Sequence, residues 1–299
     1  MLQRQDVGHR VVIRRRAGTR DGRQLYSDVL GDLVALTDTH ATVVTTTGPL
    51  AVPLAEIHRA KRIPPPRRPS AADTIAVARA VAEAWPAPIQ ERLGDWVLRA
   101  GGPTSHTRSA LPIGDPGCAL EAAIDAVTRW YAARGERPRV TVPLPLAAPV
   151  DAALAARGWL IERRMVVQTA ALSAIPTPAR LDVPSVTLTA ESSRCVARVD
   201  TPTGDPVGVA RATLAGGGRW LGLTDLEVAP AARRRGIADQ LVGALADWAR
   251  RAGARDAVIC FEDDDAATAE FCRRVGFRIH HRGRVRVAPH DSSADVRSP

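Results

Sequence analysis

The stretch at residues 220–253 constrains the fold more than any other part of the chain. It opens with an apolar run, WLGLTDLEV at 220–228, which is typical of a strand. Pro230 ends this strand, because proline cannot donate a ladder hydrogen bond. From Ile237 the apolar residues recur at helical spacing, which predicts an amphipathic helix. The run RRRG at 233–236 therefore lies between a strand and the N-terminus of a helix.

Three functions are open to the arginine run: a phosphate site, a nucleic-acid contact or a solvated surface. The chain has a net charge of +9, and Lys61 is its only lysine, so arginine carries almost all of the positive charge. Free N–H groups and the helix dipole meet at a helix N-terminus and suit a phosphate, and Gly236 permits close approach of a ligand. The helix carries Asp239 and Asp247 and has its arginines late, at 250 and 251, which disfavours nucleic acid.

The first 62 residues predict a separate small β domain. Short runs rich in β-branched residues, such as VVI at 11–13 and ATVVTTT at 41–47, are typical of strands. We expect an SH3-like β-barrel over residues 1–62. The segment 63–70, with three consecutive prolines, predicts a stiff linker, and residues 291–299 predict a disordered tail.

The remainder alternates helix and strand signals, which predicts an α/β fold. It also contains an internal echo: AALAARGWLIERRMVV at 152–167 and EFCRRVGFRIHHRGRVRV at 270–287 each read as helix, Gly-aromatic pair and basic strand. The sequence therefore predicts two copies of one structural repeat, over 71–184 and 185–290. Chance similarity between two segments rich in Ala and Arg is the alternative.

The cysteines and histidines predict no metal site. The four cysteines lack CxxC spacing, and His280 and His281, as neighbours on a strand, are expected to point to opposite faces. No signal sequence and no membrane span are expected, so we expect a cytoplasmic protein.

The sequence LEVAPAARRRGIADQLV resembles a signature of the GNAT (GCN5-related N-acetyltransferase) superfamily, through Arg233, Gly236 and Ala238. A second signature, a short helix followed by Gly276-Phe277, resembles the same superfamily. The whole arrangement resembles actinobacterial GNAT proteins with an N-terminal SH3-like domain. Some of those are described as N-acetylglutamate synthases and others as histone-type acetyltransferases.

The resemblance implies a mixed sheet in which two parallel strands splay apart around acetyl-CoA, within tandem GNAT-like units of which only the second binds the cofactor. It assigns cofactor binding to Leu226, Val228, Arg233, Arg234, Arg235, Gly236, Ile237, Ala238, Asp239 and Asp265. Leu226 and Val228 would pair with the pantetheine arm, and the others would lie near the phosphates.

Direct attack of an amine on a thioester needs a base, and a carboxylate is the expected one. Asp225 and Glu227 share one face of the strand by alternation, and Glu227 lies nearer the expected acetyl position. Solvated surface carboxylates, or a base from the acidic run at 261–265, are the alternatives. Cys272 stands where the family has a tyrosine acid, and Asp265 where it has an asparagine. Cys272 is either a substitute acid or a small buried side chain.

These observations predict an acetyl-CoA-dependent N-acetyltransferase without a metal. The preferred acceptor is a small primary amine, such as glutamate. A protein lysine or N-terminus is the alternative acceptor. A weakly active or inactive module that binds acyl-CoA or nucleic acid is the alternative of another class. No membrane partner is expected, and the sequence leaves the oligomeric state open, a homodimer included.

Overall fold

The computed structural model describes residues 2–20, 22–45, 48–63, 69–176, 185–201 and 203–289. The chain folds as two compact units, residues 1–68 and 69–299. Most of the predicted linker and the whole predicted tail lie outside the described residues.

The first unit is a five-stranded antiparallel sheet with the strand order β4-β3-β2-β1-β5. Its strands are β1 (Arg10–Arg20), β2 (Arg23–Leu36), β3 (His40–Thr45), β4 (Gly48–Pro53) and β5 (Ile57–Arg62). A 3-10 turn at Leu54–Glu56 joins β4 to β5. Because β5 pairs with β1 and no pairing joins β4 to β5 among the described residues, the sheet is open. The prediction of a closed barrel was wrong in this respect.

The second unit contains five helices and ten strands within its described residues. The helices are α1 (Ala71–Ala84), α2 (Leu120–Ala132), α3 (Ala148–Ala156), α4 (Ile237–Arg251) and α5 (Ala266–Arg274). The strands are β6 (Ile89–Leu93), β7 (Trp96–Ala100), β8 (Arg139–Leu144), β9 (Leu160–Ala171), β10 (Thr187–Glu191), β11 (Arg194–Asp200), β12 (Pro206–Ala215), β13 (Trp220–Val228), β14 (Asp256–Glu262) and β15 (Arg278–Val287). Strands β6 and β7 form a hairpin, and the other eight form one mixed sheet. The predicted mixed α/β architecture is confirmed.

The two sequence echoes are interleaved in this sheet. Its order is β10-β11-β12-β13-β14-β9-β15-β8. Strand β9, from the first predicted copy, lies between β14 and β15 of the second copy. Strand β15 lies in turn between β9 and β8. Each predicted copy thus supplies a strand that lies between two strands of the other copy.

The two faces of the sheet are covered by different helices. On one, called the α4 face, Leu241 and Leu245 of α4 are fully buried in a core that includes Leu221. Burial of each leucine contributes about 1.5–3 kcal/mol. On the other, called the α1 face, Ala84 of α1 packs so closely on Gly222 that an added β-carbon would lie 2.2 Å from the Ala84 side chain. Glycine is required there by close packing.

The histidine pair does not follow simple alternation. The register between β15 and β9 shifts between Ile279 and His281, so His280 is an extra, bulged residue. The bulge brings the Nδ1 atoms of the two rings to 2.9 Å. The expectation that they point apart was wrong, because a bulge reorients a side chain that strict alternation would turn away. Burial, and secondarily the neighbouring His280, lowers the pKa of His281 to about 4.

We predict that His281 makes the second unit less stable in acid. Its imidazole takes up a proton in the unfolded chain below about pH 6.5, whereas the folded protein resists protonation down to about pH 4. The free energy of unfolding should therefore fall as the pH is lowered through this window, by about 1.4 kcal/mol per pH unit from this residue. Urea unfolding followed by tryptophan fluorescence reports this unit alone, because all six tryptophans lie in residues 69–299.

His281→Leu should flatten this part of the profile. His9→Asn, in the first unit, is the control and should leave the profile unchanged. An identical pH slope in His281→Leu and the wild type would contradict the prediction.

Candidate functional site

Over the range in which it pairs with its antiparallel neighbour β12, strand β13 contains one extra residue. Arg211 pairs with Asp225 and Ala212 with Leu223, so Thr224 is bulged. The Thr224 hydroxyl donates a hydrogen bond to the carbonyl oxygen of Arg211 at 3.1 Å. A bulge shifts the alternation of all the side chains that follow it. The direction of every side chain from Asp225 to Val228 therefore depends on Thr224.

The bulge keeps apolar residues on one face and places carboxylates on the other. Leu223 lies in the core of the α4 face, and after the bulge Leu226 and Val228 pack against the same core. Asp225 and Glu227 are exposed on the opposite side. The prediction that these two carboxylates share a face agrees with this arrangement.

Pairing between the parallel strands β13 and β14 stops at this point. It runs from Trp220 opposite Asp256 to Leu223 opposite Ile259. Beyond Ile259, β14 continues only alongside β9. The last five residues of β13 therefore have an unpaired edge on the β14 side.

The unpaired edge exposes backbone hydrogen-bonding groups. The N–H of Ala229 bonds to the carbonyl of Val207 on the β12 side, at 2.9 Å. N–H and C=O groups alternate in direction along a strand, so those of Leu226 and Val228 are directed to the β14 side. The carbonyl of Val228 accepts a bond from Arg233 Nε at 3.2 Å.

A row of free N–H groups follows the strand. A 3-10 turn at Pro230–Ala232 leads into the arginine run, where Arg234 has φ +62° and Gly236 has φ +80°. Helix α4 starts at Ile237, and its first paired N–H is that of Gln240, bonded to Gly236. Within the described chain, the N–H groups of residues 234–239 have no hydrogen-bond partner. Six donors thus lie at the positive end of a 15-residue helix.

The charges around these donors are mostly positive. Arg233, Arg234 and Arg235 are exposed, and none forms an ion pair with another described residue. Asp239, the acid nearest the helix start, pairs with Arg274 of α5 at 2.5 Å. Its charge is therefore already balanced, and the arginine run remains available for an external anion.

Asp265 is the N-cap of α5. One of its carboxylate oxygens accepts from the N–H of Thr268 at 2.9 Å and the other from the Thr268 hydroxyl at 2.5 Å. A capping side chain of this kind stabilises a helix by about 1 kcal/mol. An aspartate at this position is thus explained by the helix that it starts.

Cys272 lies in the core between α5 and the sheet. Its side chain is fully buried in the same cluster as Leu241 and Phe277. Burial, with a smaller effect of Asp265, raises the pKa of the thiol to about 12. Of its two predicted roles, this environment favours the small buried side chain.

The acidic run at 261–265 is engaged in ion pairs. Glu262 pairs with Arg163 of β9, and Asp263 pairs with Arg282 of β15. Across the described ranges, no group of three or more His, Cys, Asp or Glu side chains is placed to hold a metal ion. In the same ranges no helix combines the length and the apolar character that crossing a bilayer requires.

Sequence reasoning missed several residues of this region. Thr224 gives no bulge signal in a strand of ordinary composition. Arg274 was one arginine among many, although it balances Asp239. Arg99 and His106, whose nitrogens are buried in the second unit, were also missed. The signal for Arg99 was present, since WVLRA at 96–100 places a charge within an apolar strand.

Comparison with known families gives one match over most of the chain. The family described as "Probable histone acetyltransferase Rv0428c C-terminal" matches residues 71–286. The Mycobacterium tuberculosis protein named "Probable histone acetyltransferase Rv0428c" is 30% identical over 220 residues, which cover 69% of this chain and 71% of that protein.

Solved structures share the fold. A GCN5-related N-acetyltransferase from Kribbella flavida superposes with a TM-score of 0.59 at 15% identity, over 78% of this chain and 100% of that chain. A tandem GNAT protein from the clavulanic acid biosynthesis pathway gives 0.50 at 16% identity, over 75% and 92%. At these identities the similarity establishes the fold alone.

We predict that only one thiol reacts rapidly with Ellman's reagent in the folded protein. The reagent needs a thiolate; Cys118 is exposed, Cys195 and Cys272 are buried, and burial raises the pKa of Cys260 to about 12. Cys118→Ser should abolish the fast reaction, and Cys272→Ala should leave it unchanged. A second fast thiol that is lost in Cys272→Ala would show that this residue is open to solvent.

Proposed function

Because the chain belongs to the acetyltransferase family described as "Probable histone acetyltransferase Rv0428c C-terminal", we propose that it transfers an acetyl group from acetyl-CoA to a primary amine. One observation carries the proposal. Among the described residues, the unpaired edge of β13 leads directly into six N–H groups without a partner and three arginines that form no ion pair. A single extended ligand with amide groups and a diphosphate matches both features.

The residues fit acetyl-CoA along the whole of this path. We assign the diphosphate to the N–H groups of residues 234–239, and we assign the phosphate on the adenosine ribose to Arg233, Arg234 and Arg235. Each charge-assisted hydrogen bond contributes about 1.5–3 kcal/mol. The amides of the pantetheine arm would bond to Leu226 and Val228. Asp239 takes part through its backbone, since its side chain is paired with Arg274.

The side chain of Asp265 is poorly suited to direct contact with the cofactor. Both of its oxygens accept hydrogen bonds from Thr268, and its charge would repel phosphates. We therefore propose that it contributes to the cofactor site by starting α5 rather than by contact.

The bound donor supplies an activated acyl group, the thioester. The amine forms the new C–N bond as the C–S bond breaks, and it must first lose a proton from its ammonium form. Glu227 is exposed on the α1 face, at the unpaired part of β13, and no described residue pairs with it. Asp225 is paired with Arg211 at 3.4 Å. We assign the role of base to Glu227, directly or through one water. The N–H of Val228 is the donor available to polarise the thioester carbonyl.

The leaving thiolate also needs a proton. A thiol with a pKa of about 12 is a weak donor to a thiolate whose conjugate acid has a pKa of about 8.5. Cys272 also lies in the α4-face core, whereas Glu227 lies on the α1 face. We propose that solvent delivers this proton and that Cys272 has a packing role.

Two separate arguments favour two different chemical classes of acceptor. The resemblance to N-acetylglutamate synthases favours an amino acid such as glutamate. The name of the M. tuberculosis relative favours a protein lysine, which is the second candidate. An inactive module was suggested by Cys272 and Asp265, but packing and capping account for both residues.

For the first unit we propose an SH3-like fold. The strand order β4-β3-β2-β1-β5, with a 3-10 turn before the last strand, supports it.

Acetyl-CoA at millimolar concentration should raise the melting temperature of the wild type, because a ligand that binds only the folded state stabilises it. Gly236→Asp should abolish this shift, since it strains a backbone at φ +80° and places a carboxylate among the free N–H groups. Gly253→Asp is a matched control, with φ +93° at the other end of α4. An undiminished shift in Gly236→Asp would place the cofactor elsewhere.

Glu227→Gln should lower kcat at least about 100-fold in an assay of thiol release, with acetyl-CoA binding retained. Asp225→Asn, on the same face of the strand, should change kcat less than about three-fold. Cys272→Ala should also retain kcat. Equal losses in Glu227→Gln and Asp225→Asn would contradict the assignment of the base, and a large loss in Cys272→Ala would restore its role as the acid.

A further inference from the structure

Arg99 is an arginine in the interior of the second unit. Only 1% of its surface is exposed. Its Nε donates to the carbonyl of Ser109 at 3.0 Å, and its Nη2 donates to the carbonyl of His106 at 2.8 Å and to the Ser109 hydroxyl at 3.3 Å. Its Nη1 is buried and has no partner in the described chain. Two N–H bonds of a buried cation are thus unused.

The charge of Arg99 is not balanced either. No described carboxylate pairs with it. Its neighbours that can become anions are Tyr131 and Cys260. Burial raises the pKa of both, that of Cys260 to about 12, so both are neutral at physiological pH. The pKa of Arg99 itself, lowered by burial to about 10, still leaves it positively charged. A buried charge without a partner is costly.

His106 adds further unused groups beside this cation. Neither of its ring nitrogens is open to solvent, and neither has a hydrogen-bond partner among the described residues. Its ring packs edge-on against Trp85, with 6.3 Å between ring centroids. Burial, and then the charge of Arg99, lowers its pKa to about 3. The neutral imidazole carries one N–H donor, and it belongs to the residue whose carbonyl accepts from Arg99 Nη2.

These groups lie toward the α1 face of the sheet, because Trp85, which contacts the His106 ring, packs against the core of that face. Cys260, which Arg99 influences electrostatically, directly follows the last paired residue of β14, Ile259. It packs with Trp220 in the core of the α1 face. Glu227, our proposed base, is on this face of β13. The uncompensated cation therefore lies near the point where β13 and β14 cease to pair.

We propose that Arg99 and His106 bind a carboxylate group of the acceptor, so that the acceptor is an amine that also carries an acid. The proposal rests on the proposed acetyl transfer. A carboxylate has one negative charge, which balances the one positive charge of Arg99, and its two oxygens match the Nη1 donors and the imidazole N–H. A buried water would satisfy the hydrogen bonds but would leave the charge unbalanced. A phosphate carries more charge than the single cation balances.

The test compares acids with their matched amides as acceptors. The probes are L-glutamate, its α-amide L-isoglutamine and its side-chain amide L-glutamine, with acetyl-CoA at saturation. For the wild type we expect a KM for glutamate at least about 10-fold below that of one of the two amides. The amide that loses affinity identifies which carboxylate is bound. KM values within about two-fold for all three would overturn the proposal.

Variants of His106 and Arg99 test whether these two residues cause the preference for an acid over its amide. His106→Leu removes a side chain that makes no hydrogen bond, so it should fold at least as well as the wild type. It should raise the KM for glutamate toward that of the discriminated amide, with kcat changed less than about three-fold. Arg99→Met should remove the preference altogether. Arg92→Met, exposed on the partner strand of the same hairpin, is the control and should retain it. Equal effects of His106→Leu on acid and amide would show a purely structural role.

Melting temperatures separate this proposal from that of acetyl transfer. If L-glutamate raises the melting temperature of the wild type but not of His106→Leu, while acetyl-CoA has no effect on either, the carboxylate site stands and the transferase proposal fails. If acetyl-CoA binds and acetyl transfer occurs without preference for acids, the transferase stands and the carboxylate site fails.

Discussion

The unpaired extra residue in β13 is the constraint on which the site depends. Because Thr224 has no counterpart on β12, the strand shifts its alternation in mid-course and leaves β14 after Leu223. Apolar side chains stay on the α4 face, and Asp225 and Glu227 stay on the other. The same shift leaves a free backbone edge that leads to the start of α4. One bulge thus aligns the edge, the row of N–H donors and a carboxylate along a single path.

The features of the site that are determined by residues close together in the chain could be predicted from the sequence. The strand, the proline stop, the arginine run and the helix follow from local periodicity and from residues with fixed backbone preferences, and the structure places β13 and α4 at those positions. The bulges at Thr224 and His280 could not be predicted, because they are set by the register with partner strands. The interleaving of β9 and β15 was hidden for the same reason. Arg99 was missed because an arginine-rich composition conceals one charge whose burial depends on the whole fold.

Asp265 and Cys272 depart from the family pattern, and their surroundings in the structure explain both residues. Read in sequence, Asp265 and Cys272 looked like losses of function. In the structure, Asp265 caps α5 through Thr268, and Cys272 fills a core position beside Phe277. Both residues stabilise the helix that packs beside the start of α4, where Arg274 of that helix neutralises Asp239. The two substitutions therefore concern how α5 is held in place, and neither side chain pairs with the arginine run among the described residues.

The interleaved pairing of the strands also affects how the second unit folds and how it can change in evolution. Strand β8 pairs with β15, which is synthesised long after it, and β9 pairs with both β14 and β15. The early part of the chain therefore cannot complete its sheet on the ribosome until the last strand has emerged, and such long-range pairing is slow to form. The same topology explains why the half that contains β8 and β9 is retained. Removing it would expose the edge of β14 and the whole length of β15, so the two halves must be inherited as one folding unit.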